Sequence, residues 1–182
     1  MPATYSNLTG LGNTEENPGG IGSLCYWAAL REFATIQQPD NLSTATTTAG
    51  LATVSTAHVF ATGGCFKTAY ITQGKGDMEM DVAAEVDASG GFIKLKTFLP
   101  GYNAENFGNL RMQKNDDFIF LVPMADGKVS QLGSQTFPVK VESWKFMTAQ
   151  NGSGVRGVEI TYKAFQMSPV LYTSTIQTTP QP

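Results

Sequence analysis

The sequence predicts a mainly β fold: a small β-barrel or sandwich with one flanking α-helix and long extended loops and arms. Three observations predict it. Short runs of alternating apolar and polar residues recur along the chain, each bounded by Gly, Pro, Asn or Asp. One segment alone, about 103–114, combines helical apolar spacing with a capping residue. Charged residues make up 15% of the 182, below the roughly 25% of ordinary soluble domains. Thr, Ser, Asn, Gln and Gly fill the gap, which suits β surfaces covered by hydroxyls and amides and surfaces that neighbours will cover.

Residues 1–23 are rich in Gly, Asn, Thr and Pro and predict an extended N-terminal arm, ordered only when neighbouring protomers cover it. A β domain over 24–174 follows. In "SLCYWAALREFATIQQP" the alternation Cys25, Trp27, Ala29, Phe33 predicts a strand broken at Arg31; the spacing Leu24, Trp27, Ala28, Arg31 would also allow a helix, but the clustered aromatics and Ile favour the strand. The Thr/Ala-rich stretch within 40–56 predicts a long exposed loop, placed at 40–53 and likewise ordered on assembly. "AHVFATGG" and "CFKTAYITQG" are short strands bounded by Gly. Asn103 is a good N-cap for a helix whose stripe is Ala104, Phe107 and Leu110, closed by Asn115. Its Gly108 makes it weak alone, so it must dock. "DFIFLVPM" is a continuous apolar run expected to be a buried strand, and the Asp-Gly of "ADGKV" a tight turn. In "TFPVKVESWKFMTA", Phe137, Val139 and Val141 are set against Lys140, Glu142 and Trp144. In "VRGVEITYKAFQM", Val158, Ile160, Tyr162 and Ala164 oppose Glu159, Thr161 and Lys163. "SPVLYTS" closes the domain, and 175–182 reads as a flexible, frayed tail.

The strongest pattern is "GDMEMDVAAEVDASGGFIKLKTFLPG", residues 76–101. Asp77, Glu79, Asp81, Glu85 and Asp87 share one parity, and Met78, Met80, Val82, Ala84 and Val86 the other. Strand side chains alternate between faces, so this predicts a strand with an acidic face and an apolar face packed on a core. A two-residue turn at Gly90-Gly91 would set Asp87 opposite Lys94 and Glu85 opposite Lys96, leaving Asp77, Glu79 and Asp81 without basic partners.

Catalytic and cofactor chemistry finds little purchase, and the expectation is a protein that is not an enzyme and carries no cofactor or metal. His58 is the only histidine and no metal-ligand spacing surrounds it, so a structural role is expected. A Ser-His-Asp triad would need it, and the Gly-x-Ser-x-Gly elbow is missing. Alternate carboxylates on a straight strand lie about 7 Å apart, too far to share a Ca²⁺ that takes oxygens at about 2.3–2.6 Å. The two cysteines, Cys25 and Cys65, are no disulfide framework and read as small buried apolar residues. The net charge of −3 offers no general basic footprint for nucleic acid. No apolar run approaches a membrane span, and "MPATYSNLTGLGN" has neither the basic start nor the apolar core of a signal peptide.

From Gly90 onward the order of elements resembles the major tail (tail tube) proteins of tailed bacteriophages. The likeness is carried by "GFIKLKTFLPGYNAENFGNLRMQKNDDFIFLVPMADGKVSQLGSQTFPVKVES" and "GVRGVEITYKAFQMSPVLYTS", roughly half the chain. The Thr-rich loop at 40–53 is longer than that family's pattern. The resemblance implies a virion structural protein assembled in the host cytoplasm. Hexameric rings of it stack into a hollow tube, with strands joining a larger shared barrel. Its partners would be copies of itself, other tail proteins and DNA in transit without specific binding, with no membrane. Asp77, Glu79, Asp81, Glu85 and Asp87, with Lys94 and Lys96, would then face the lumen, where acidic walls keep DNA sliding. The alternative expectation is a carbohydrate-binding or adhesive β-sandwich of a virion or cell surface, with Trp144 as its anchor.

Overall fold

The structure, a computed structural model, describes residues 3–5, 7–8, 18–85, 88–101, 103–148 and 154–182, and of 83–85, 88 and 89 the backbone alone. Most of the predicted N-terminal arm, and Val86 and Asp87, thus lie outside the described residues. In chain order the strands are β1 (Leu24–Ala29), β2 (Phe33–Thr35), β3 (Thr53–Val54), β4 (Val59–Phe60), β5 (Lys67–Tyr70), β6 (Asp77–Glu85) and β7 (Ala88–Pro100). Helix α1 (Ala104–Gln113) precedes β8 (Phe118–Pro123), β9 (Val129–Leu132), β10 (Lys140–Met147), β11 (Gly157–Gln166) and β12 (Val170–Tyr172). The fold is mainly β with one α-helix, and among the described residues no sheet closes into a barrel.

The central sheet runs β3-β12-β9-β8-β1-β5. Its pairs are antiparallel except β12 with β3. β8 explains why its sequence is apolar without interruption: Phe118, Phe120 and Val122 enter one core while Ile119 and Leu121 enter another on the opposite face. Each side chain of this size stabilises by about 1.5–3 kcal/mol when fully buried. β1 divides the same way, Cys25 and Ala29 to the first core and Ala28 to the second. The predicted break at Arg31 is a single 3-10 turn, Leu30–Glu32, which carries the chain from the central sheet into the β2–β4 pair.

A four-stranded sheet, β10-β11-β7-β6, lies over the first core. Ile93 and Leu95 of β7 and Val158, Ile160, Tyr162 and Ala164 of β11 join Phe118, Phe120 and Val122 there. Helix α1 caps one end of this core. The Asn103 side chain accepts from the Asn106 amide at 2.7 Å, supplying one of the bonds that the first turn lacks. Leu110 is buried, Phe107 meets Phe146 edge to face, and the Tyr162 hydroxyl donates to Gln113 at 3.0 Å. Those contacts offset the roughly 1 kcal/mol that Gly108 costs in a helix interior. The Asp-Gly turn also forms, with Gly127 at φ 83° and Met124 N–H donating to the Lys128 carbonyl at 2.8 Å.

Three expectations are corrected. The alternation in β10 breaks at a bulge between Val141 and Ser143. Trp144 therefore pairs with Ile160 and sits on the core-side face instead of beside Lys140. Residues 175–182 are not frayed. Phe66 and Gly63 donate to the Gln177 and Gln181 carbonyls, Gln181 donates back to Gly64, and Ile176 packs on the second core. The stretch read as an open loop up to 56 ends in a 3-10 turn and the strand β3, which pairs with β12.

Candidate functional site

The acidic parity of β6 is present in the fold, in a different hairpin from the one expected. β6 and β7 pair with Glu85 opposite Ala88, so Gly90-Gly91 lie within the paired strand and are not the turn. The register shift keeps the faces and changes the partners. Asp77 stands opposite Lys96 and Glu79 opposite Lys94, while the Lys96 ammonium reaches Glu79 diagonally at 3.5 Å. Asp77 and Glu79 are therefore the carboxylates with lysine neighbours, a reversal of the expectation. Gly90 and Gly91 are strand residues with a packing role. A Cβ at Gly91 would collide with the Asp81 carbonyl, and one at Gly90 would enter the Phe165 ring. A glycine pair in a strand often marks such a close approach.

The opposite parity points inward as expected for Met78 and Met80, which pack on the first core. Val82 has the same parity but is 54% exposed and does not pack on that core. The side chains of Glu85 and Asp87, two of the predicted site residues, fall outside what is described.

Pairing across β7, β11 and β10 adds residues that the hairpin alone could not reveal. Glu159 and Lys163 of β11 share the face, and Lys140, Glu142 and Lys145 of β10 join them. Among the described side chains the face carries five carboxylates (Asp77, Glu79, Asp81, Glu142 and Glu159) and five lysines (Lys94, Lys96, Lys140, Lys145 and Lys163). These ten described side chains balance in charge. Glu142 anchors the centre, 3.3 Å from Lys163 and 4.0 Å from Lys94, and Lys140 reaches Asp117 at 3.1 Å. Each of these exposed pairs contributes about 0–1 kcal/mol, so the arrangement is a property of the surface more than of stability. The outer strands β6 and β10 each pair on one side only, leaving both edges open among the described residues.

His58 is a buried structural residue. Its Nδ1 accepts from the Gln37 amide at 3.0 Å, its ring stacks on Tyr172 with centroids 5.0 Å apart, and Phe33 and Phe66 close the sides. Burial lowers its pKa to about 4, an effect Gln131 partly opposes. His58 Nε2 nevertheless makes no hydrogen bond of ordinary geometry among the described residues. Burial also pushes the Cys25 thiol up to about 12, while Cys65 is partly exposed. Thiols react as thiolates. A maleimide at pH 7 is therefore expected to label one cysteine, Cys65, in the native chain and both in denaturant; mass spectrometry showing Cys25 modified in native protein would contradict this packing.

Among the described residues no group of three or more His, Cys, Asp or Glu is placed to hold a metal ion, and no helix is long and apolar enough to cross a membrane. No family model, no curated protein and no solved structure matches the chain.

Proposed function

We propose that the chain is a tail tube subunit of a tailed bacteriophage, forming hexameric rings that stack into a conduit for DNA. The single observation that supports this best is the four-stranded sheet. One of its faces is core, the other is a dense belt of charge, and both its edges are open among the described residues. Open edges are templates for pairing with another chain. Setting β6 of one protomer against β10 of the next would close six sheets into a barrel of 24 strands. At about 4.8 Å per strand its backbone diameter is about 37 Å before strand tilt widens it, enough for a duplex to pass. The two sheets that share the first core would then be the small sandwich of each protomer, with α1 flanking it.

The charge belt becomes the lumen wall in this reading. The wall avoids holding DNA because its lysines already have carboxylate neighbours, leaving no net basic surface to release counterions from phosphate. Other tail proteins would bind the ends of the tube, and the site of action is the virion. The adhesive alternative has less support, since Trp144 stands on the edge strand that ring closure uses.

Negative-stain electron microscopy of the purified protein tests the proposal. Rings or tubes of uniform bore are expected. A protein that stays monomeric at every concentration, without rings, would overturn it.

A further inference from the structure

Polar atoms are buried where the C-terminal segment closes the second core. The Gln37 amide donates to His58 Nδ1, so the neutral imidazole carries its hydrogen on Nε2. A second proton has one place to go, Nδ1, and the Gln37 hydrogen already points at that atom. Tyr172 ties the ring to the end of the chain. Its hydroxyl accepts from the His58 amide at 3.4 Å and donates to the Thr175 carbonyl at 3.0 Å, while its ring stacks on the imidazole.

The groups packed on the imidazole are neutral. Phe33 and Phe66 close the sides, and Gln131 brings an uncharged amide. Burial raises the pKa of Tyr172 and keeps its hydroxyl protonated. Of the ionisable residues on the adjoining segments, Lys67 pairs with Glu32 at 2.6 Å, Asp40 is exposed and Cys65 is half-buried. Among the described residues an imidazolium here would have no carboxylate partner, and it would lose the Gln37 bond. The Tyr172 face attracts a cation, but that contact leaves two opposed donors at the Nδ1 edge. A buried charge without a paired neighbour is costly.

The closure that this ring supports is short. Val170 and Leu171 pair with Gln131 and Ser130 of β9, and Leu171 and Tyr172 with Thr53 and Val54 of β3. Beyond β12, backbone bonds join Gln177 and Gln181 to 63–66. Val170, Tyr172 and Ile176 belong to the second core, so their departure leaves the first core packed. Segments held this way open locally at lower cost than the whole fold.

We propose that His58 is an acid-sensitive latch: a second proton on its imidazole releases residues 170–182 from β3, β9 and 63–66 while the first core stays folded. Release uncovers Val54 and Phe66 and frees the β9 edge, a surface that the closed fold hides. The latch does not depend on the tube reading.

Hydrogen–deuterium exchange of the full chain, read by mass spectrometry and corrected for the intrinsic effect of pH on exchange, tests it. The imidazole titrates near 6.5 when released and near 4 when closed. Opening of 170–182 is therefore expected to become roughly twenty-fold more frequent from pH 7 to pH 5. Protection there should lie below that of β8 and β11 at both pH values, and His58→Gln should flatten the rise. Exchange at the His58 Cε1 hydrogen of the parent chain titrates the ring directly, should the variant fail to fold, and the ring is expected to stay neutral well below pH 6.5. Equal protection of 170–182 and β8 would mean that only the whole fold opens, and would overturn the latch. An unchanged pH response in His58→Gln would do the same, as would a ring that titrates near 6.5 while the segment stays protected.

Discussion

If the chain forms the proposed tube, changing Asp77, Glu79 and Asp81 together to lysine is expected to leave tubes intact and to slow or stall genome ejection, with added salt restoring the rate. The described charge face would go from five carboxylates and five lysines to two and eight. In the proposed ring of six this would place eighteen new lysines around one belt. Folding should survive, because Met78 and Met80 on the other face are untouched and the exposed Glu79–Lys96 pair contributes about 1 kcal/mol at most. DNA would meet a basic wall whose affinity falls steeply as salt rises, each neutralised phosphate adding about 0.9 to the slope of log K against log salt. The triple change to Asn and Gln isolates charge from size and should show a weaker form of the same defect. Particles of the lysine variant that eject at the wild-type rate in low salt would remove these residues from any role in DNA transit. Failure to assemble would place them at a protomer contact.

Folding stability is expected to fall by about 2 kcal/mol between pH 7 and pH 5 through His58 alone, and by about 3 kcal/mol once pH drops below 4. The imidazole titrates near 6.5 when unfolded and near 4 in the fold. Between those values the unfolded chain binds the proton more readily. The stabilisation is thus complete above pH 6.5 and disappears as pH falls through 4. Because the chain has one histidine, urea denaturation of His58→Gln against the parent from pH 7 to pH 5 isolates this term from the carboxylates that titrate lower. The variant begins less stable, having lost the stack on Tyr172, but its stability should be nearly flat over that range. Parallel slopes for the two proteins would show that His58 does not carry the proton linkage.

The features legible in the sequence were those set by local chemistry. The period of two in 77–81, the Asn103 cap and the Asp-Gly turn each depend on neighbours within a few residues, and each took its expected form. Register was not legible, because Gly90-Gly91 fits a tight turn as well as it fits a close backbone approach. What decides between them is the Phe165 ring, brought over Gly90 by the pairing of β11 with β7. The charge of the candidate face went the same way. Glu159 and Lys163 alternate plainly in the sequence, yet nothing local says that they lie beside Lys94 and Glu142. One extra residue in β10 was enough to turn Trp144 to the other face. The tail misled through composition: its Gln, Thr and Pro look unstructured, while its backbone bonds to 63–66 decide its place.

The lone parallel pair in the central sheet constrains the order of events at the ribosome. β12 lies between β3 and β9, and the segment after it lies along 63–66. The second core, with Val54, Phe60 and Phe66, cannot be covered until Val170, Tyr172 and Ile176 have emerged. A nascent chain in which residues 170–176 have not yet emerged therefore holds an uncovered apolar surface and an unpaired β9 edge. Long-range strand pairing of this kind is slow, and exposed edges invite premature association. The sheet cannot be completed until residues 170–176 have left the ribosome, so closure of the second core is a late event in synthesis.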